Sequence, residues 1–161
     1  MYFIDDNFFN FWFRFVFRNR ALLEENRTDE VLIEMSKILP QFLAGNYEKI
    51  AVEILQTAIN NKKIPLNFER CGRWWDKNEE IDVVATNSRT NEILFGEVKW
   101  TNKKIGTNIY EDLKRKSQIV DWGKVKQKKY FALFSKKGFT ENMIKLAKKE
   151  KIYLFTKDVL T

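Results

Sequence analysis

The chain has 161 residues, 44% of them hydrophobic and 15% aromatic, which suits one globular body with its own core and excludes disorder and a coiled coil. It contains no histidine and one cysteine, Cys71, which removes histidine-assisted nucleophiles, histidine zinc sites and any internal disulfide. The formal net charge of +7 is uneven: residues 1–97 hold 12 basic and 16 acidic groups, and residues 98–161 hold 17 and 6. Such a basic C-terminal region matches a phosphate backbone and, equally, a lysine-rich solvated surface.

Residues 2–18 carry Phe8, Phe9, Phe11, Trp12, Phe13, Phe15 and Phe17, too closely spaced for one amphipathic stripe, and read as a helix buried on most sides. The apolar run 8–17 is too short to span a bilayer, holds Arg14, and is followed by no small-residue cleavage site. No membrane span or signal peptide is expected, and the lone thiol suits the reducing cytoplasm. A second helix is predicted from an N-cap at Thr28, with Glu30 and Glu34 in its early turns, to Leu39 before Pro40. After Gly45, the residues Tyr47, Ile50, Ala51, Ile54, Leu55, Ala58 and Ile59 recur every three or four positions, predicting a helix of about four turns.

Beyond Lys62, Lys63 and Pro65, three β-like runs at 67–75, 80–86 and 92–100 form a meander, the last two joined by turn-forming residues 87–91. A basic helix around 108–120, a strand at 129–134, a helix at 140–149 and a strand at 152–155 complete the chain. Residues 1–40 thus read as a helical N-terminal extension and 41–161 as an α/β domain whose mixed sheet is flanked by helices. With 6 glycines and no glycine-rich phosphate loop, the chain itself is not an ATPase or dinucleotide binder. Cys71 and Tyr110 are expected in the interior. Trp74 and Trp75 read as one ring in the core and one over a neighbouring helix, with base stacking as the functional alternative.

In the run 92–100, alternation puts Phe95, Glu97 and Lys99 on one face and Leu94, Gly96, Val98 and Trp100 on the other. A carboxylate and an ammonium adjacent on one face are costly to bury without partners, which points to a site at a sheet edge or end; a surface salt bridge gives the same triplet. Asp82 lies in an otherwise apolar strand and precedes Glu97 by one hairpin, so the two carboxylates can meet on neighbouring strands. Paired hard oxygens of this kind hold Mg²⁺ or Mn²⁺. Glu80 shares the face of Asp82 by parity and competes for the role, and a strand-end cap is the plain reading of Asp82.

Asp82 followed by Glu97-Val98-Lys99 resembles the signature of the PD-(D/E)XK nuclease superfamily, and the order helix, three strands, helix, strand over roughly residues 45–155 is similar to its restriction-endonuclease-like core. In the Holliday-junction resolvase and Mrr-like branch a glutamate near the start of the first core helix completes the site, a place Glu48 matches. Glu53 is the rival, about 140° further around the helix, and favourable charge at a helix N-terminus also accounts for Glu48. The resemblance implies phosphodiester hydrolysis, with Asp82, Glu97 and the Val98 carbonyl on a divalent ion, Glu48 on it directly or through water, and Lys99 at the phosphate or the attacking water.

DNA, including branched or single-stranded forms, is the implied substrate. Lys103 and Lys104, with Lys114, Arg115 and Lys116 on the basic helix, are the expected backbone contacts. Gln118 joins them because related nucleases place a glutamine on that helix, and related resolvases act as dimers. Segments 2–6 and 11–16, Gly72-Arg73-Trp74-Trp75-Asp76, Glu80-Ile81-Asp82 and Gly96-Glu97-Val98-Lys99-Trp100 are also similar to the C-terminal domain, of unassigned function, of a family of archaeal ATPases. That likeness implies an upstream ATPase module absent from this chain, with the aromatic helix as its junction. It also makes a non-catalytic DNA-binding or partner-docking module the alternative to a nuclease.

Overall fold

Six strands pair in chain order into one sheet: β1 (Arg70–Asp76), β2 (Glu79–Asn87), β3 (Glu92–Lys99), β4 (Lys128–Ser135), β5 (Tyr153–Thr156) and β6 (Val159–Leu160). The computed structural model describes residues 6–123, 126–157 and 159–160. Strands β1 to β3 form the expected antiparallel meander; β3, β4 and β5 run parallel, and β6 returns antiparallel. The second hairpin turns on Asn87, whose side-chain oxygen accepts the N–H groups of Arg89 and Thr90, and on Asn91 in the left-handed region. The parallel crossovers carry α4 (Thr107–Lys116) and α5 (Glu141–Glu150). The two-residue β6 has no legible pattern in the sequence. This is a mixed α/β fold with a helical N-terminal part.

The chain divides into two units, Met1–Asn46 and Tyr47–Thr161. In the first, α1 (Asn7–Phe11), a π-helical turn (Trp12–Val16), a 3-10 turn (Phe17–Asn19) and α2 (Arg20–Glu24) precede α3 (Thr28–Asn60), which runs on into the second unit. The helix expected over 2–18 is therefore divided among different pitches, and its residues 2–5 lie outside the described ones. It is also not buried on most sides. Phe15 is 2% exposed, whereas Phe8, Phe9, Trp12, Phe13 and Phe17 lie between 42% and 65%. Aromatics at seven of ten positions surround the helix, and one packing partner covers one side: Phe11 and Phe15 meet Phe42, and the others stack among themselves.

The break expected at Pro40 is also absent, since α3 continues through it. A proline inside a helix forgoes one backbone hydrogen bond and costs about 3 kcal/mol. Among the described residues no helix is long and apolar enough to cross a membrane.

In the second unit both faces of the sheet are covered. Tyr47, Ala51, Leu55 and Ala58 of α3 pack on Val83, Ala85, Leu94, Val98, Ala132 and Phe134. On the opposite face Tyr110, Leu113, Met143 and Ala147 of α4 and α5 pack on Ile81, Ile93, Phe95, Leu133 and Leu154. Consecutive residues such as Leu94 and Phe95 are buried on opposite sides, which is why the central strands read as continuous apolar runs.

Candidate functional site

The pairing of β2 with β3 runs from Asn87/Glu92 to Val83/Gly96. Against β1, three steps of β2 (Ile81 to Val84) face two of its partner (Gly72 to Trp74), so β2 bulges around Asp82 and Val83. The bulge explains why Ile81 and Val83, which share parity, pack on opposite faces. It also releases Asp82 from the ladder. Its Oδ2 accepts the N–H of Val98 at 2.8 Å, a side chain satisfying a backbone donor of β3.

Glu97 is only 6% exposed. Its Oε1 accepts from Lys99 Nζ at 2.6 Å, so the two share a face as alternation predicts. Its Oε2 is buried without a hydrogen-bond partner; Lys116 Nζ stands 3.6 Å away and 3.2 Å from Asp112. Burial, then the charge of Asp82, pushes the Glu97 carboxyl above the usual carboxylate range against the pull of Lys99 and Lys116. For the Lys116 ammonium, burial favours the neutral form, yet Glu97, Asp112 and Asp82 together raise its pKa above that of an ordinary lysine.

These opposing effects have a consequence for stability. Folded Glu97 holds its proton more tightly than the unfolded chain does, so the stability linked to this group is present below the unfolded value, about pH 4.3, and is lost as pH rises through the higher folded value. Glu97→Gln is expected to melt at a higher temperature than the native chain near neutral pH, the gap closing in acid. Thermal unfolding followed by circular dichroism at the two pH values checks this; a less stable variant at neutral pH would show that the lysine pairs outweigh burial.

Glu48 and Glu80 belong to a different cluster. Both are ion-paired to Arg73 of β1, Glu80 at 3.0 Å. The bulge has broken the parity that set Glu80 beside Asp82, and Glu48 is carried by the helix that packs on the face away from Glu97. Glu53 lines a separate cavity of about 270 Å³ with Phe155 and Leu160. The structure thus brings together Asp82, Glu97 and Lys99, adds Lys116, and leaves Glu48 with Arg73. Among the described residues no three histidine, cysteine, aspartate or glutamate side chains form a metal-holding group. The hard oxygens of Asp82 and Glu97, one of them buried without a hydrogen bond, nevertheless fit a divalent cation such as Mg²⁺ or Mn²⁺.

The basic residues of α4 each meet a carboxylate. Lys116 is turned inward, its side chain 13% exposed. Lys114 pairs with Glu150, which also accepts the Tyr110 hydroxyl. Arg115 makes a two-point bond to Glu79 and reaches Asp112. Arg115 holds the Glu79 carboxyl below the usual range, and Tyr110 with Lys114 does the same for Glu150. These partners come from distant segments and leave no trace in the local sequence. The inward turn of Lys116 was detectable: Tyr110, Leu113 and Lys116 fall at i, i+3 and i+6, one side of a helix.

Lys103 and Lys104 are exposed in the loop after β3, and Gln118 is exposed beyond the end of α4. Cys71 is exposed rather than packed, because it lies on the outermost strand. Tyr110 is buried as expected. Trp74 packs into the α4 and α5 layer, whereas Trp75 is 72% exposed and covers no helix.

Fold and site together define a mixed-sheet α/β domain that holds a carboxylate pair and two lysines where neighbouring strands part. The chain belongs to the family DUF234, described as "Archaea bacterial proteins of unknown function", whose model matches residues 12–117. An uncharacterized protein of Methanocaldococcus jannaschii, MJECL04, is 40% identical over 138 residues, which cover 84% of this chain and 30% of that protein. The chain therefore spans less than a third of that relative's length. No solved structure matches it.

Proposed function

We propose that this domain is a metal-dependent DNA endonuclease of the PD-(D/E)XK kind. The observation that carries the reading is the buried Oε2 of Glu97 beside Asp82, which accepts no hydrogen bond, with Lys99 on the other oxygen and Lys116 3.6 Å away. Burying a carboxylate oxygen without a donor costs about 1–3 kcal/mol or more, an arrangement retained at sites where the group has chemistry to do. Asp82, Glu97 and the Val98 carbonyl are the groups that would hold Mg²⁺ or Mn²⁺, which supplies a Lewis acid and lowers the pKa of a bound water. Lys99 donates to Glu97 and offers an ammonium to a phosphate oxygen. The bond from Asp82 to the Val98 N–H fixes the end of β3. Glu48, paired with Arg73, would join an ion, directly or through water, only on leaving that arginine.

One observation favours the alternative, a non-catalytic DNA-binding or partner-docking module: Lys99 and Lys116 already balance Glu97, so the cluster stands without an ion. The greater length of the archaeal relative supports an additional module, and the idea that this module is an ATPase rests on the resemblance. The test is Mg²⁺-dependent cleavage of supercoiled, single-stranded and branched DNA by the native chain, Asp82→Ala and Lys99→Ala. Cutting lost in both variants supports the nuclease; equal cutting by all three assigns it to a contaminant.

A further inference from the structure

The parallel strands β3, β4 and β5 end in register, Lys99 beside Ser135 and Ser135 beside Thr156. The next residues extend the ladder: the Lys136 N–H donates to the Lys99 carbonyl and the Lys157 N–H to the Ser135 carbonyl, at 3.3 and 3.1 Å. Lys99, Lys136 and Lys157 therefore follow one another across the carboxyl ends of three adjacent strands, whose backbones lie about 4.8 Å apart. Lys137 comes next in the chain, and exposed Lys103 and Lys104 lie in the loop leaving β3.

The two loops are tied together. Ile105 bridges Phe139, the Ile105 N–H donates to the Gly138 carbonyl, and the Thr140 N–H donates to the Ile105 carbonyl. Wholly buried Ser135 donates its hydroxyl to the Gly138 carbonyl and accepts the Lys137 N–H. Lys136 Nζ donates to Asn102 Oδ1 at 2.9 Å and lies 4.7 Å above the Trp100 ring, which in turn packs on Tyr47.

Among the described residues no carboxylate is paired with Lys103, Lys104, Lys136, Lys137 or Lys157, whereas Lys114, Arg115 and Lys116 each have one. These five lysines lie just past the carboxyl ends of β3, β4 and β5. A row of unneutralised ammonium groups there matches a partner whose negative charges recur along a line.

We infer that the carboxyl-end rim of β3, β4 and β5, and not α4, is the surface that grips the phosphodiester backbone of DNA. The inference rests on the proposed function in taking DNA as the partner. The rim begins at Lys99, so a strand held on it leads to the Asp82 and Glu97 carboxylates.

The test is fluorescence anisotropy of a labelled duplex with the native chain, in EDTA so that nothing is cut, over a range of salt concentrations. Each lysine on a phosphate contributes about 0.9 to the slope of log affinity against log salt. Replacing Lys103, Lys104, Lys136 and Lys137 together by glutamine is expected to lower that slope by about 3 to 4 and weaken binding. The same four as arginine should keep the native slope, as should Lys114→Gln with Arg115→Gln. A native slope in the glutamine variant, a slope loss in the arginine variant, or a loss in the α4 variant overturns the rim. A native chain that binds no duplex overturns the rim and the DNA reading together. Binding that depends on the rim in a protein that cuts no DNA upholds the rim and removes only the nuclease.

Discussion

Asp82→Asn is expected to lower Mg²⁺-dependent cleavage by at least about a hundredfold while the domain stays folded. Removing one preorganised charge from a water-poor site costs about 10² to 10³ in rate, and the asparagine oxygen still accepts the Val98 N–H, so the end of β3 keeps its position. Lys99→Met should cost a comparable factor, because it deletes the ammonium that pairs with Glu97 and that the proposed reaction sets at the phosphate. Lys116→Met should cost less, since Lys116 stands 3.6 Å from Glu97 without a hydrogen bond. Glu48→Gln separates two accounts: a loss as large as that of Asp82→Asn requires Glu48 to leave Arg73 and join the ion, and a small loss leaves it as a structural partner of β1. Initial rates at saturating Mg²⁺, with melting temperatures as the folding control, rank the four.

Gly96→Ala is expected to destabilise the domain by about 1–3 kcal/mol, and Gly96→Val by more. A Cβ at this position would lie 2.9 Å from the Val83 Cβ and 3.4 Å from the Phe134 ring. The Val83 Cβ is fixed to the backbone of β2, so relief requires β2 to move away from β3. That movement pulls Asp82, the neighbour of Val83, off the Val98 N–H, and activity should fall with stability. Gly72→Ala is the control, since a Cβ there has nothing within 4 Å and removing a strand glycine carries no steric penalty. Urea unfolding of the three variants measures the difference; a Gly96→Ala protein as stable as the native one would contradict the packing described.

Apart from the two-residue β6, the order of strands and helices from residue 70 was legible from apolar runs, periodicity and turn residues, and Glu97 with Lys99 was legible because charged residues interrupt an apolar strand on one face. The surroundings of Asp82 were not. A bulge is one residue more on β2 than on β1, a mismatch between two strands that neither carries alone, and it overturned the parity that made Glu80 a partner. The partners of the α4 cations were hidden for a related reason: Glu79 and Glu150, which pair with Arg115 and Lys114, reach them only after the chain has folded. At Pro40 the local rule for a proline predicted a helix end, and α3 continues through it. The exposed aromatics of the first helix reflect a composition with more apolar surface than one neighbour can cover.

A nuclease at this site requires Asp82 and Glu97 to act as one receptor for a cation. The most direct measurement is the anomalous difference map of a crystal of the native chain soaked in Mn²⁺. The expected result is a peak bonded to an oxygen of Asp82 and to Oε2 of Glu97, with Lys116 drawn back toward Asp112. An empty map at that position, or a peak between Glu48 and Glu80 instead, would contradict it.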